Sequence, residues 1–157
     1  MRGPSSEVEM MLRREPIAWL STARPDGRPH LVPIWFWWDG RGLLMFSKPE
    51  AQKIRNLRSN PDVMLALGDP GDDFDVQLIE GRAYALESTT ADVMPPDHAR
   101  KYERQMREIG LSADEYVRTY SQPVRIVPTR FLPWRGRTQT AARERSVLRS
   151  AGLAVAA

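Results

Sequence analysis

Basic residues are concentrated in one short segment of the chain, which makes that segment the best candidate for binding an anion. Residues 47–58 contain one acid, Glu50, and four bases: Lys48, Lys53, Arg55 and Arg58. Ser47 and Glu50 have the spacing of a capping box, and Pro49 suits a first turn, so a helix is predicted over 48–59. The N–H groups and the dipole of a helix N-terminus favour an anion. An ordinary solvated helix face has the same composition, so both interpretations stay open here.

Four consecutive aromatic residues precede this segment: Trp35, Phe36, Trp37 and Trp38. Successive side chains of a strand point to opposite faces, so Trp35 and Trp37 share one face while Phe36 and Trp38 share the other. One barrel core cannot take both pairs. The outward pair is therefore expected to pack on a helix, on a second subunit or on a planar ligand.

Nucleophilic, acid–base and metal chemistry have little support in the sequence. The chain has no Cys and two His, His30 and His98, which fall on different predicted elements. It contains no H-x-x-x-H, no G-x-S-x-G, no P-loop and no dinucleotide-binding fingerprint. We therefore predict no metal site and assign no catalytic side chain.

The high isoelectric point, about 9.6, comes from the C-terminal end of the chain. Five Arg and one Glu give residues 135–157 a charge of +4, whereas the whole chain carries +3, so residues 1–134 carry −1. Nucleic-acid binding is not expected, because its positive footprint should lie on the domain itself. No apolar run approaches the roughly 20 residues that span a bilayer, and the N-terminus lacks a signal-peptide core. A cytoplasmic protein without membrane contact is expected.

Hydrophobic patterning and turn residues predict six strands, at 16–24, 28–38, 42–47, 62–68, 74–87 and 123–134. Pro33 places the second strand at an edge or a bulge, and Gly81 indicates a bulge in the fifth. Helical segments are predicted at 1–15, 48–59 and 90–120. Antiparallel strands in this number favour a small closed barrel, a mainly β fold, because closure removes exposed edges.

The last helical segment has two further patterns. Tyr102, Met106 and Ile109 form one apolar stripe that ends at Gly110, and Ser112 and Glu115 form a second capping box. Residues 1–135 are expected to form one domain. Residues 136–157 are expected to form a flexible tail that is rich in Ala and Arg.

Several stretches together resemble a known family. STARPDGRPHLVPIWFWWDG at 21–40 and FSKPEAQKIRNLRSNPDVMLAL at 46–67 are similar to the split β-barrel flavin and deazaflavin oxidoreductases, relatives of pyridoxamine 5′-phosphate oxidase. VQLIEGRAYAL at 76–86 and YSQPVRIVPTRFLPW at 120–134 match in the same order. The resemblance covers about residues 8–134 and is closest to the branch described as coenzyme F420-dependent. It implies a six-stranded antiparallel split β-barrel of the FMN-binding type.

The resemblance also implies a homodimer with a cofactor at each subunit interface. The end of the third strand and the basic helix would hold the cofactor phosphate through Ser47, Lys48, Lys53, Arg55 and Asn56. Phe46 and Gln52 of the same segment would also belong to the cofactor site. The backbone of Val32, Pro33, Ile34 and Trp35 would line the planar ring. Trp134 would approach the ring from the partner subunit.

Two departures from the family's oxidase bear on the cofactor. The Arg and Lys on its second strand align with Val32 and Trp37, and the Arg-Lys pair on its helix aligns with Gln52 and Lys53. Loss of these cations argues against pyridoxamine phosphate as substrate and weakens the case for FMN. The resemblance therefore implies an F420-dependent reductase that passes a hydride to an electron-poor conjugated small molecule. An FMN-dependent oxidase or reductase and a non-catalytic flavin or haem carrier are the alternatives.

Overall fold

The structure, a computed structural model, describes residues 3–68 and 76–134. Its elements in chain order are α1 (Ser6–Arg14), β1 (Ala18–Ala23), β2 (Pro29–Ile34), β3 (Trp37–Trp38), β4 (Leu43–Ser47), α2 (Gln52–Ser59), β5 (Asp62–Leu67), β6 (Val76–Ala85), α3 (Thr90–Val93), α4 (Pro96–Glu108), α5 (Ala113–Thr119) and β7 (Gln122–Trp134). All strand pairs are antiparallel, in the order β2-β1-β5-β6-β7-β4-β3. The predicted mainly β split-barrel fold is confirmed.

The predicted strand over 28–38 is divided in two, which gives seven strands instead of six. Its first part, β2, pairs with β1, whereas its second part, β3, pairs with β4 at the opposite end of the sheet. Trp35 and Phe36 join the two parts, so one stretch of chain connects both ends of the curled sheet. Pro33 lies in β2, an end strand of the described sheet, which is where proline is usually tolerated in a sheet.

The inner face of the sheet encloses the main core. Its buried residues include Leu20, Phe36, Trp38, Leu43, Met45, Leu65, Ile79 and Ile126. Leu12 of α1 and Ile54 of α2 cover it from the helical side. The predicted bulge is confirmed as a register shift between Glu80 and Gly81, where an added Cβ would meet the Val127 carbonyl oxygen at 2.9 Å.

Strand β4 is buried on both faces, because a second cluster lies on its outer side. Leu44 and Phe46 pack there with Tyr102, Met106 and Tyr116 of the following helices. We call this group the aromatic cluster. It brings the helical segment 90–120 against the end of the strand that leads into the basic helix.

The predicted capping box of Ser47 and Glu50 was wrong. Helix α2 begins at Gln52, its N-cap is Ala51, and no side chain caps it. Ser47 is instead the last residue of β4, where it pairs with Gln122, and its buried hydroxyl donates to the Lys48 carbonyl. The intervening residues form a turn, so the helix starts about one turn later than predicted.

The helical segment over 90–120 is three helices. The second capping box is confirmed, since the Ser112 hydroxyl accepts from the Glu115 N–H while the Glu115 carboxylate accepts from the Ser112 N–H. Tyr102 and Met106 are buried as predicted, but Ile109 is not part of their stripe, because it lies at the C-cap of α4 and is half exposed.

The flexible tail predicted at 136–157 and the first two residues of the strand predicted over 74–87 fall outside the described residues. Within residues 3–68 and 76–134, no helix is both long enough and apolar enough to cross a bilayer.

Candidate functional site

A pocket of about 150 Å³ lies where β2, β4, α2 and the helical segment meet. Its lining residues are Pro33, Ile34, Trp35, Phe46, Lys53, Ile109, Tyr116 and Tyr120. Five of these are predicted site residues, and they come from three different elements and a connecting segment. Small-molecule pockets usually enclose about 300–1,000 Å³, so the described part of one chain offers only a fraction of a ligand site.

One wall of the pocket is a stack of aromatic rings. The Trp35 ring lies between the rings of Tyr102 and Tyr116, at centroid distances of 4.8 and 5.6 Å and interplanar angles of 8° and 20°. Trp35 and Trp37 pack on the aromatic cluster, whereas Phe36 and Trp38 lie in the main core. The predicted alternation is confirmed, and the outward pair packs on helices.

Lys53 supplies the positive charge of the pocket. Its side chain is half buried, and burial lowers the pKa of its ammonium group. Among the described residues no carboxylate forms an ion pair with Lys53. A partly desolvated cation without a counter-ion beside an apolar pocket is suited to receive an anionic ligand.

Tyr116 contributes a polar group to the same pocket. The residue is 3% exposed, and its hydroxyl makes no hydrogen bond with any described residue. Burial, together with the nearby Tyr102 and Tyr120 phenols, raises the pKa of Tyr116, so the hydroxyl stays protonated near neutral pH. It is therefore available to donate a hydrogen bond to a ligand oxygen.

The predicted residues on α2 form a chain of hydrogen bonds. Arg55 donates to the Gln52 side-chain oxygen at 2.7 Å, and the Gln52 amide donates to Asn56 at 2.8 Å. The fully buried Asn56 donates in turn to the Thr22 hydroxyl at 2.8 Å. These contacts fix α2 on β1. The Asn56 amide is therefore occupied by contacts within the protein, whereas Lys53 lines the pocket.

The other predicted residues lie at varying distances from this pocket. Ser47 is fully buried at the end of β4, Lys48 is exposed in the following turn, and Val32 packs against the main core. Trp134 is 62% exposed at the end of β7, where it pairs with Val76. None of these four lines the pocket, and their assignment to a cofactor site stays a prediction.

The pocket residues that the sequence did not single out come from α5 and its surroundings. Tyr116 and Tyr120 lie one turn apart, and the capping box at Ser112 correctly located the helix that carries Tyr116. The pattern contained no information about the strand that this helix covers. A contact between residues some 70 positions apart in the chain has no local sequence signature.

A larger cavity has walls whose charges pair with neighbouring residues. A groove of about 470 Å³ between α4 and α5 is lined by Arg107 and Glu103, which form an ion pair at 2.9 Å, and by Arg100, which pairs with Asp97. In the described part of the chain, no three His, Cys, Asp or Glu side chains are grouped to hold a metal ion. The small pocket beside Lys53 therefore remains the best candidate site.

Comparisons with known proteins agree with this architecture. The structure is similar to an F420 reductase, with 27% sequence identity and a TM-score of 0.62 over 79% of this chain and 94% of that protein. It is also similar to the conserved hypothetical protein Rv2991 from Mycobacterium tuberculosis, at 29% identity and a TM-score of 0.58 over 85% and 86% of the two chains.

A more distant structural neighbour is a haem storage protein. HutZ, the haem storage protein of Vibrio cholerae, is 17% identical, with a TM-score of 0.57 over 87% of this chain and 96% of that one, and this likeness shows the fold alone. A comparison with curated proteins found no match. The family model described as pyridoxamine 5′-phosphate oxidase matches residues 5–134. The chain therefore belongs to the pyridoxamine 5′-phosphate oxidase family.

Proposed function

We propose that this protein is a reductase that uses the reduced deazaflavin F420 and acts on an electron-poor conjugated small molecule. The observation that carries this proposal is Lys53, a half-buried cation at an apolar, aromatic pocket that forms no ion pair with any described carboxylate. The similarity to an F420 reductase supports the same choice. A fold alone does not decide function, so the proposal depends on the site.

The residues of the pocket fit the chemical groups of such a cofactor. Lys53 would neutralise the phosphate, while Ile34, Trp35 and Phe46 offer apolar surface to a planar ring. When bound, the reduced deazaflavin supplies the hydride. The Tyr116 hydroxyl would orient an oxygen of the acceptor, and the aromatic cluster would keep bulk water away from the ring.

We further propose that a second copy of the chain completes the pocket. The outer face of the sheet carries a cross-strand row that runs from Pro33 through Trp19, Ala66 and Leu78 to Leu132. Beside it, Leu31 and Met64 lie opposite Ser21 and are 60% and 37% exposed. We call these residues the apolar sheet face. Exposed apolar area of this kind favours association.

The apolar sheet face is continuous with the pocket, because Pro33 belongs to both. A partner docked on this face would lie at the rim of the site and supply the volume that one chain lacks. This arrangement makes cofactor affinity dependent on dimer formation.

Replacement of Trp19 by Glu should therefore disrupt the dimer and weaken cofactor binding together. Burial of an unpaired carboxylate costs about 3 kcal/mol or more, which raises the dimer dissociation constant by roughly 100-fold or more. Sedimentation velocity with and without cofactor measures this change. Met10→Glu is the matched control, because Met10 is 65% exposed on α1 and outside the apolar sheet face. A dimeric Trp19→Glu variant with normal cofactor affinity would contradict the arrangement.

Replacement of Lys53 by Ala should weaken cofactor binding about 10- to 100-fold, as expected for loss of a charge-assisted hydrogen bond worth about 1.5–3 kcal/mol. Fluorescence quenching titrations give the dissociation constants. The control is Arg58→Ala, which removes an exposed charge from the other end of the same helix. If both variants bind the cofactor like the wild type, the basic side chains of α2 only face solvent and do not bind the cofactor.

Turnover separates the reductase from a carrier on the same fold. Reduced F420 is mixed with the protein and with menadione, biliverdin or a coumarin-type acceptor, and reoxidation of the cofactor is followed by absorbance. The proposal requires reoxidation that depends on both protein and acceptor. Cofactor binding without reoxidation by any acceptor would favour a carrier, and activity with FMN alone would favour the flavin-dependent alternative.

A further inference from the structure

A further cavity, of about 270 Å³, lies between α1, the start of β6 and the end of β7. Its lining residues are Gly3, Ser5, Glu7, Val8, Met11, Gln77, Phe131 and Pro133. None of these residues lines the pocket beside Lys53, which encloses about 150 Å³. The cavity is therefore a separate and larger feature of the fold.

The inner wall of this cavity continues the main core. Phe131 lies opposite Ile79 where β6 pairs with β7, and it packs against the main core, as do Val8 and Met11 of α1. An apolar cavity of about 150 Å³ is large enough to hold one benzene ring. A volume of about 270 Å³ with this lining therefore offers room for a bicyclic aromatic molecule.

One polar side chain, that of Gln77, faces the apolar wall. Gln77 lies two residues before Ile79 of the main core, so its side chain points to the same inner face of β6. The residue is 2% exposed, and its amide nitrogen donates to the Leu78 carbonyl at 2.6 Å. No described residue donates a hydrogen bond to its side-chain oxygen. Because a buried acceptor without a donor is unfavourable, a ligand N–H or O–H would be stabilised at this oxygen.

The charge of the lining disfavours an anionic ligand. Glu7 contributes a carboxylate, and the Ser5 hydroxyl accepts from the Val8 N–H at 3.3 Å. In the part of the chain that the structure describes, no Lys, Arg or His lines this cavity. A phosphate or carboxylate would lose its hydration here without gaining a cation, in contrast to an anion beside Lys53.

We propose that this cavity binds a neutral bicyclic aromatic molecule whose N–H or O–H donates to the side-chain oxygen of Gln77. Phe131 and Met11 would contact the ring of this ligand. The site shares no lining residue with the pocket beside Lys53, so this ligand and an anionic cofactor can be bound at the same time.

Indole and benzofuran are matched probes for the site, because they have the same bicyclic shape and only indole carries an N–H. Isothermal titration into the full chain should give a dissociation constant at least about tenfold lower for indole, as expected for one buried hydrogen bond. This preference should disappear in Gln77→Leu, which removes the acceptor and keeps an apolar side chain. Equal affinities of the wild type for the two probes, or a preference for indole that persists in Gln77→Leu, would overturn the role of Gln77.

A cavity-filling substitution on α1 gives an independent measurement. Val8→Trp should abolish binding of both probes, because the larger ring occupies the space of the ligand. Met10→Trp is the matched control, since Met10 is 65% exposed on the same helix and does not line the cavity, and this variant should bind like the wild type. Indole binding that is unchanged in Val8→Trp, or no saturable binding of indole to the wild type, would overturn the site. Displacement of indole by FMN or F420 would also contradict it.

Discussion

Acidification from pH 7 to pH 5 should lower the free energy of unfolding by about 2 kcal/mol through one residue, His98. The imidazole is fully buried on α4, and neither ring nitrogen has a hydrogen-bond partner among the described residues. Its ring packs against those of Phe46, Tyr102 and Tyr116 at 4.8, 4.8 and 5.8 Å. Burial, and to a lesser degree the charge of Lys101, lowers the pKa of His98 to about 3.

The direction of the effect follows from the two protonation states. The unfolded chain binds a proton at His98 below its ordinary pKa of about 6.5, whereas the folded protein does so only near pH 3. Stability is therefore lost progressively as the pH falls from 6.5 to 3, at about 1.4 kcal/mol per pH unit. Although burial opposes it, hydrogen bonds with Arg125, Arg41 and Gly42 lower the pKa of Asp39 to about 2, so its contribution is lost only below about pH 4.

Urea unfolding at pH 7 and pH 5 measures this effect. His98→Leu puts an apolar side chain of similar size in place of the imidazole. It should abolish most of the loss in free energy of unfolding between the two pH values, because no buried imidazole remains to be protonated. At pH 7 this substitution should change the free energy of unfolding little, since it removes two polar atoms that have no hydrogen-bond partner among the described residues. His30→Gln, a change at the only other histidine, should retain most of the acid sensitivity. An unchanged pH dependence in His98→Leu would show that other groups are responsible.

Replacement of Tyr102 by Phe should lower the free energy of unfolding by about 2–4 kcal/mol. The Tyr102 hydroxyl accepts from the Phe36 N–H at 2.9 Å, and its proton is shared between the carbonyls of Pro16 and Phe36 at 2.8 and 2.9 Å. Phe36 lies where the strand crosses from β2 to β3, so its backbone groups depend on this hydroxyl. Loss of the hydroxyl leaves a buried N–H without a partner, which costs about 1–3 kcal/mol in addition to the lost bonds.

Chemical denaturation of Tyr102→Phe tests this role, and Tyr84→Phe is the matched control, because Tyr84 is 43% exposed on β6. The ring that stacks on Trp35 is retained, so the variant isolates the hydroxyl from the packing. A change in the free energy of unfolding below about 0.5 kcal/mol would show that packing alone stabilises the segment that crosses from β2 to β3. The variant should also loosen the Trp35 wall of the pocket and weaken cofactor binding.

Local patterns predicted most strands of this fold because their causes are local. Alternation of apolar residues reflects the period of a strand, and the turns at Gly27 and Gly40 need positive φ, which both glycines adopt. The same kind of motif failed once, since Ser47 and Ser112 have the same capping spacing but only Ser112 caps a helix. Ser47 is buried in β4 through its pairing with Gln122, and no local pattern contains that contact.

The site was predictable only in part for the same reason. Lys53 was identified by local charge density, and Trp35 by the run of aromatic residues, and both line the pocket. Tyr116 depends on a contact between distant segments, which the sequence alone does not define. The sequence assigned no role to His98, and its complete burial emerges only when α4 packs on Phe46.

The affinity of the wild-type protein for F420 compared with FMN tests the central claim most directly. Isothermal titration of both cofactors into the same preparation gives the two dissociation constants under identical conditions. The account predicts that F420 binds at least about tenfold more tightly than FMN, because Val32, Trp37 and Gln52 stand where the resemblance places cations of the family's FMN-dependent oxidase. Tight binding of FMN with no detectable binding of F420 would contradict it.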